Sequence, residues 1–313
     1  MTSHKPDIIA LGEALIEFVA LPNEPGEAPM YRQGFGGDTS NAMIAAARQG
    51  ASTGYLSAVG QDPFGEQLIE LWKREGVDSS KVRQVESGYT GIYFVQPDPS
   101  GRKFSYARKG SAASQFTPEE LPKKYLAEAK ILHISALSQA VSCDMRASVR
   151  RAADIAAANG TAISYDTNLR LNLWTLEEAK QEILGFLPKA NYVFPSVDEA
   201  ELLTGLDSID EILDFFLGFD PALVLLKCGE AGAVLATKGR RTTIKPYLTK
   251  PVDSTGAGDS FAGAFLAYFL ETGDAERAAN LATIVASGTV SGMGAVAPIP
   301  LRKAVLDREK NTK

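Results

Sequence analysis

The chain is 313 residues long, 45% hydrophobic and 22% charged, with a net charge of −6, ordinary values for a soluble chain with a sizeable core forming one large α/β domain or two average ones. Its lysines and arginines are scattered rather than clustered, which argues against a general nucleic-acid or membrane-surface binder while leaving room for a local basic site. Two cysteines far apart, Cys143 and Cys228, and two histidines argue against a Cys/His zinc site; no signal peptide or membrane span is legible, so the cytoplasm is the expected compartment.

Ile8 to Leu11 is a short apolar run of buried-strand type. It leads into an extended segment, Glu13 to Gln33, with turn residues Pro22, Pro25 and Gly26 and no helix. A second such segment begins at Gly88, with turn residues Pro97 to Gly101. There Tyr93, Val95, Phe104 and Tyr106 alternate as the half-buried strands of a hairpin require. Together these segments read as a small β-lid, a device that keeps water from a reaction beneath it. The rest alternates. Strands are expected at Ile131 to Ile134, Ala162 to Tyr165, Tyr192 to Phe194 and Leu223 to Leu226, with helices such as Ser142 to Asn159 and Thr175 to Leu187 between them. This rhythm predicts a three-layer α/β/α domain with a mainly parallel central sheet, whose ligands bind beyond the carboxyl ends of the strands. The chain 1–313 reads as one domain with lid segments at 13–33 and 88–108, and its Lys-rich end, Asp307 to Lys313, as a frayed terminus.

Residues Pro251 to Phe265 read PVDSTGAGDSFAGAF. Gly256, Ala257 and Gly258 form a tight turn whose N–H groups converge at the start of a helix near Asp259, a ready anion site. A carboxylate there repels a phosphate unless it handles a proton, so Asp259 reads either as a base beside an anion hole or as the N-cap of a core helix.

This stretch closely resembles the C-terminal signature of the ribokinase-like (PfkB-type) sugar kinases. The resemblance extends through Gly36, Gly37 and Asn41 in GFGGDTSN, where the family's backbone and Asn contact sugar hydroxyls. It continues through VGQDPFG from Val59, through Asn168 and Arg170 in YDTNLR, and through Lys227 and Gly229 in LLKCGEAGA. It implies an ATP-dependent kinase with Asp259 as general base, the Gly256 to Gly258 amides on the transferring phosphoryl group, and Mg²⁺ bridging the ATP phosphates. Arg170 is implied at the same phosphoryl group. Within the family, YARKGSAAS from Tyr106 and SYDTNLRLNLW from Ser164 resemble 2-keto-3-deoxygluconate kinases more than ribokinases or fructokinases.

Carried over, Gly37, Tyr93, Tyr106, Arg108 and Arg170 line a sugar-acid site. Two guanidiniums from separate elements suit a carboxylate and a phosphoryl group. The alternatives are a solvated lid arginine, a structural ion pair, and tyrosines that only fill a buried face. Asn168 and Glu199 are implied to organise Mg²⁺, Glu199 through water or simply as a helix-start charge; Ser196 stands where many relatives have Asn. Lys227, Gly229, Ser196 and Asn280 are implied at the nucleotide, Asn280 facing either adenine or solvent. Asp253 and Thr255 resemble a monovalent-cation site, with K⁺ as the candidate ion. Another sugar kinase of the family, such as a fructokinase, and a non-catalytic sensor on the same fold are the alternatives. No G-x-G-x-x-G follows the first strand, against a dehydrogenase. Exposed lid edges predict a homo-oligomer, at least a dimer.

Overall fold

The computed structural model describes residues 5–22, 27–98 and 101–312, and within them no side chain at 97, 98, 101, 102 or 312. The expected turn residues Pro25 and Gly26, and Pro99 and Ser100 of the second turn, lie outside the described residues.

The strands, in chain order, are β1 (Ile8–Leu11), β2 (Leu15–Ala20), β3 (Tyr31–Gly36), β4 (Thr53–Gly60), β5 (Val77–Asp78), β6 (Val82–Val85), β7 (Ile92–Asp98), β8 (Gly101–Ala107), β9 (Ile131–Ser135), β10 (Ala162–Asp166), β11 (Tyr192–Phe194), β12 (Leu223–Lys227), β13 (Ala233–Thr237) and β14 (Arg240–Ile244). The α-helices are α1 (Asp38–Arg48), α2 (Pro63–Arg74), α3 (Lys123–Glu128), α4 (Ala136–Ala140), α5 (Cys143–Ala158), α6 (Leu176–Phe186), α7 (Val197–Thr204), α8 (Ile209–Leu217), α9 (Ala257–Thr272), α10 (Ala275–Val290) and α11 (Arg302–Thr312). The large sheet runs β14-β13-β12-β11-β10-β9-β1-β4-β5, with β6 on β4. From β12 to β5 every pairing is parallel; β13 and β14 add an antiparallel hairpin at one edge. That explains the continuous apolar runs: strands covered on both faces have no polar side to show. Ile8 and Ala10 point into one core layer with α1, α9 and α10, and Ile9 and Leu11 into the other with α5, α6 and α8.

A second sheet of four strands, order β3-β2-β7-β8, stands apart from the large one. Its strands come from both extended segments, β2 pairing β7 in parallel and the two outer pairs antiparallel. One face packs on the body through Phe18, which meets Phe64 of α2 edge-on at 5.8 Å. The other carries Leu15, Val19, Tyr93 and Val95.

The chain end departs from expectation. Residues 307–312 belong to α11, not to a frayed tail, because Val305 is buried and Glu309 pairs with Arg277 of α10 at 3.0 Å.

Candidate active site

The carboxyl ends of β1, β10 and β12, the start of α1 and the start of α9 enclose a cleft of about 790 Å³ under the small sheet. At its floor α9 begins at Ala257, two residues earlier than predicted. Gly256 is its N-cap at φ +77, a left-handed conformation that suits glycine. The N–H of Ala257 turns back to Ser254 O at 3.2 Å. The N–H groups of Gly256, Gly258 and Asp259 have no acceptor among the described residues, so the donors open at this helix start are theirs rather than those of the three residues 256–258. Lys227, expected at the nucleotide, lies beside Gly258 and grips Asp166 with both carboxylate oxygens, at 2.7 and 2.8 Å. Burial works against its charge, but Asp166, Glu199 and Asp259 leave its pKa above the ordinary lysine value. It is a cation held beside Gly258 at the start of α9.

Asp259 faces the cleft from the first turn of α9. Asn41 of α1 donates its side-chain amide to Asp259 Oδ2 at 2.9 Å. Burial and the neighbouring Asp38 carboxylate push the Asp259 carboxyl up to about 7, against the pull of the Asn41 hydrogen bond. That value suits a group which must accept a proton near neutral pH. Asn41 thus gives its amide N–H to this carboxylate, while its Oδ1 has no partner among the described residues.

Gly37, at φ +112, precedes α1; a Cβ there would overlap the Glu13 carbonyl oxygen, so the approach of β3 to the end of β1 demands glycine. Gly36 lies under the Tyr93 ring in the same way and does not line the cleft. Tyr93 donates its hydroxyl to buried Glu17 at 2.7 Å and stacks on Tyr106 at 5.8 Å. Arg108 lies 5.5 Å over the Tyr106 ring. It is not the free lid cation that a carboxylate-binding pair needs: its guanidinium ion-pairs with Glu13, 1% exposed, which also accepts from Ser111. Burial pushes the Glu13 carboxyl above its ordinary range even against Arg108.

Asn168, at φ +21, bridges two carboxylates. Its N–H donates to Asp166 Oδ1 and its amide to Asp38 Oδ2, at 3.1 and 2.8 Å. Arg170 is 45% exposed at the cleft mouth, 3.6 Å from Glu199. Ser196 caps α7 in a reciprocal box with Glu199, which also accepts from the Thr167 hydroxyl at 2.8 Å. Ser196, Glu199 and Gly229 do line the cleft. Asn280 does not: it bonds Glu276 O and lines a separate groove between β14 and α10. Asp253 accepts from Thr255 N and Oγ and from Gly294 N, so Asp253 and Thr255 hold each other and the 294 turn. The described residues contain no group of three or more His, Cys, Asp or Glu side chains able to hold a metal. Asp198 and Glu199 line the cleft, a sparse pair of carboxylates that fits Mg²⁺ carried chiefly by phosphate oxygens and water.

Glu13, Glu17 and Asp38 escaped the sequence reading. Two glutamates inside the apolar run IIALGEALIEF were the available signal, since a buried strand carries charge only where a partner waits.

The fold and this cleft define an α/β protein in which a half-buried carboxylate sits beside an open helix N-terminus. The chain belongs to the pfkB family carbohydrate kinases, whose profile matches residues 5–302. It is 36% identical over 266 residues, 83% of this chain and 80% of the relative, to fructokinase-2 of Solanum lycopersicum. Among solved structures it is similar to an E. coli protein in complex with ATP and Mg²⁺, TM-score 0.90, 25% identical, covering 98% of this chain and 99% of that one. It is also similar to a fructokinase double mutant from Vibrio cholerae O395 with fructose, ADP and potassium ion bound, TM-score 0.86, 25% identical, covering 97% and 99%. The named relatives are fructokinases, so the expected preference for 2-keto-3-deoxygluconate over fructose finds no support in them. Among the described residues, no helix is long and apolar enough to cross a membrane.

Proposed function

We propose that the chain transfers the γ-phosphoryl group of ATP to the primary hydroxyl of a 2-keto sugar, with fructose as the first substrate. The observation that carries the chemistry is half-buried Asp259, clamped by Asn41 at 2.9 Å beside the open amides of α9; its carboxyl, pushed up to about 7, agrees with that role. The hydroxyl proton passes to Asp259 as the sugar oxygen attacks phosphorus and ADP leaves; the Gly256, Gly258 and Asp259 amides and Lys227 meet the phosphoryl charge. Mg²⁺ supplies charge neutralisation on the phosphates, and Asp198 and Glu199, both lining the cleft, are the carboxylates for its water shell. K⁺ would sit at the oxygens of Asp253 and Thr255, whose hydrogen bonds to each other fix that turn. Fructose is favoured by the relatives and by Arg108, whose charge Glu13 already meets.

A second substrate, 2-keto-3-deoxygluconate converted to its 6-phosphate, is favoured by half-exposed Arg170 and by Arg108 Nε, which has no hydrogen-bond acceptor. With either substrate we propose a cytoplasmic homo-oligomer, a dimer or higher, joined through the small sheet, which acts as a lid. An ADP-release assay with Mg-ATP against fructose, 2-keto-3-deoxygluconate, its galactonate epimer, ribose and adenosine separates them. Fructose turnover alone removes the sugar-acid reading, and turnover of the keto acid alone removes the fructose reading. No turnover of any sugar would favour a sensor. Asp259→Asn is expected to keep ligand binding and lose about 10²–10⁴-fold in kcat; near-native turnover in it would sink the base assignment.

A further inference from the structure

The first turn of α1 sends Asn41 onto Asp259 and Asp38 into the same cleft. We propose that Asp38 and Asn41 are positioning residues for Asp259, acting as an opposed pair. Asn41 holds and steadies the carboxylate, while Asp38 faces it with a like charge that keeps its proton affinity useful. The inference rests on Asp259 acting as the base.

Three observations place the pair. Asn41 is 3% exposed, and among the described residues its one side-chain hydrogen bond is to Asp259 Oδ2, which leaves Oδ1 to take the sugar proton. Its own Oδ1 has no partner, so the amide is oriented by the carboxylate it serves. Asp38 is 8% exposed and lines the same cleft, its carboxylate fixed by Thr39 N–H and the Asn168 amide at 2.8 Å each. The third is the crossing of α1 and α9. A Cβ at Gly263 would overlap the Ala42 carbonyl oxygen, so the helices touch backbone to backbone one residue beyond Asn41. That contact leaves the two first turns little freedom to drift apart.

The other charges around Asp259 are Asp166 on β10, neutralised by Lys227 on β12, and Arg170 on the loop after β10; Tyr93 reaches it from the small sheet. Arg170 and Asp166 act in opposite senses, and Asp166 carries its own cation. Asp38 is the largest charge influence that raises Asp259, and Asn41 the largest that lowers it.

The signs follow. A base works only when ionised, so kcat falls as pH drops through the value for Asp259. Asn41→Ala removes a hydrogen bond to the charged form and moves that acid limb to higher pH. Asp38→Asn keeps the shape, removes the like charge and moves it to lower pH. Each shift is expected at about one pH unit, the effect of one near neighbour. The experiment measures kcat from about pH 5.5 to 9 for the native protein, Asn41→Ala, Asp38→Asn and Asp259→Asn, with Mg-ATP and fructose or 2-keto-3-deoxygluconate, whichever the substrate panel selects. Opposite displacements of the limb in the two α1 variants support the pair. Unmoved limbs, or displacements in the same direction, overturn it, and a raised KM with an unmoved limb assigns Asn41 to the sugar alone. Full turnover in Asp259→Asn instead defeats the base assignment on which the pair depends. Thermal melts identify a variant that fails to fold, and in that case Asn41→Ser and Asp38→Ser carry the same two signs.

Discussion

Glu13 brings a carboxylate to a place with almost no solvent, and its partner Arg108 comes from the far side of the cleft after β8. Removing one member of a buried pair leaves the other uncompensated, at a cost of about 3–5 kcal/mol. Glu13 has an escape, because burial already raises its carboxyl and protonation removes the charge. In Arg108→Ala the folded value rises further, while the unfolded chain still releases its proton near pH ~4. The extra destabilisation is therefore absent at low pH. It grows as pH climbs from the native protein's raised value through the variant's higher one. The Tm difference between Arg108→Ala and the native protein is thus expected to be larger at pH 8 than at pH 5.5. Equal differences at both would mean that Arg108 matters for packing and not for the Glu13 charge. The same pair marks the limit of what single residues disclose. Asp259, Lys227 and Arg170 were legible because each sits in a short local pattern that fixes its place at a strand end or helix start. The partner of Arg108 was not, since it lies on the other extended segment, and an arginine reads the same whether it awaits a substrate carboxylate or already holds a glutamate. Asn280 failed for a related reason: its position on a helix was clear, but the groove that the helix faces depends on β14.

At the scale of elements, the predicted ends of α5 and α6 fell on their caps. Ser142 and Thr175 accept from the N–H three residues on, and Thr175 forms a reciprocal box with Glu178. Such signals are local chemistry and survive folding unchanged. The hairpin β13–β14 carried a weaker one, the turn Lys238–Gly239 with Gly239 at φ +87, between strands whose edge face is polar. Helix α11 had none, for its composition is that of a solvated tail and its order comes from what α10 offers it. The crossing of α1 and α9 is also a contact that patterns cannot disclose, although its small residues can be seen: Ala42, Ala45 and Ala46 on one helix, Ala262, Gly263 and Ala264 on the other. A methyl group at Gly263 meets backbone rather than a movable side chain. Gly263→Ala is therefore expected to destabilise the protein by about 1–3 kcal/mol and to lower kcat more than it raises KM, by separating Asn41 from Asp259. Denaturant melts and steady-state kinetics on one preparation check both parts, and unchanged stability would show that the helices can slide.

For the whole molecule, the small sheet poses a question that the large one does not. The large sheet is buried on both faces, but the small one ends in β3 and β8, whose backbone edges have no strand beside them among the described residues. Tyr31 and Met30 stand exposed at the β3 edge, at 37% and 55%. Open edges with apolar side chains invite pairing, and a two-fold axis covers both copies at once. A second chain there would also stiffen the sheet that carries Tyr93, Tyr106 and Arg108 over the cleft, so assembly and sugar binding are expected to be coupled. Sedimentation of the native protein should give a dimer or higher state. Tyr31→Glu places a charge in the contact and should shift it toward monomer while raising KM for the sugar more than for ATP. A native monomer would remove the dimer outright. A Tyr31→Glu dimer would move the contact elsewhere, and a monomeric variant with native KM would separate assembly from the site.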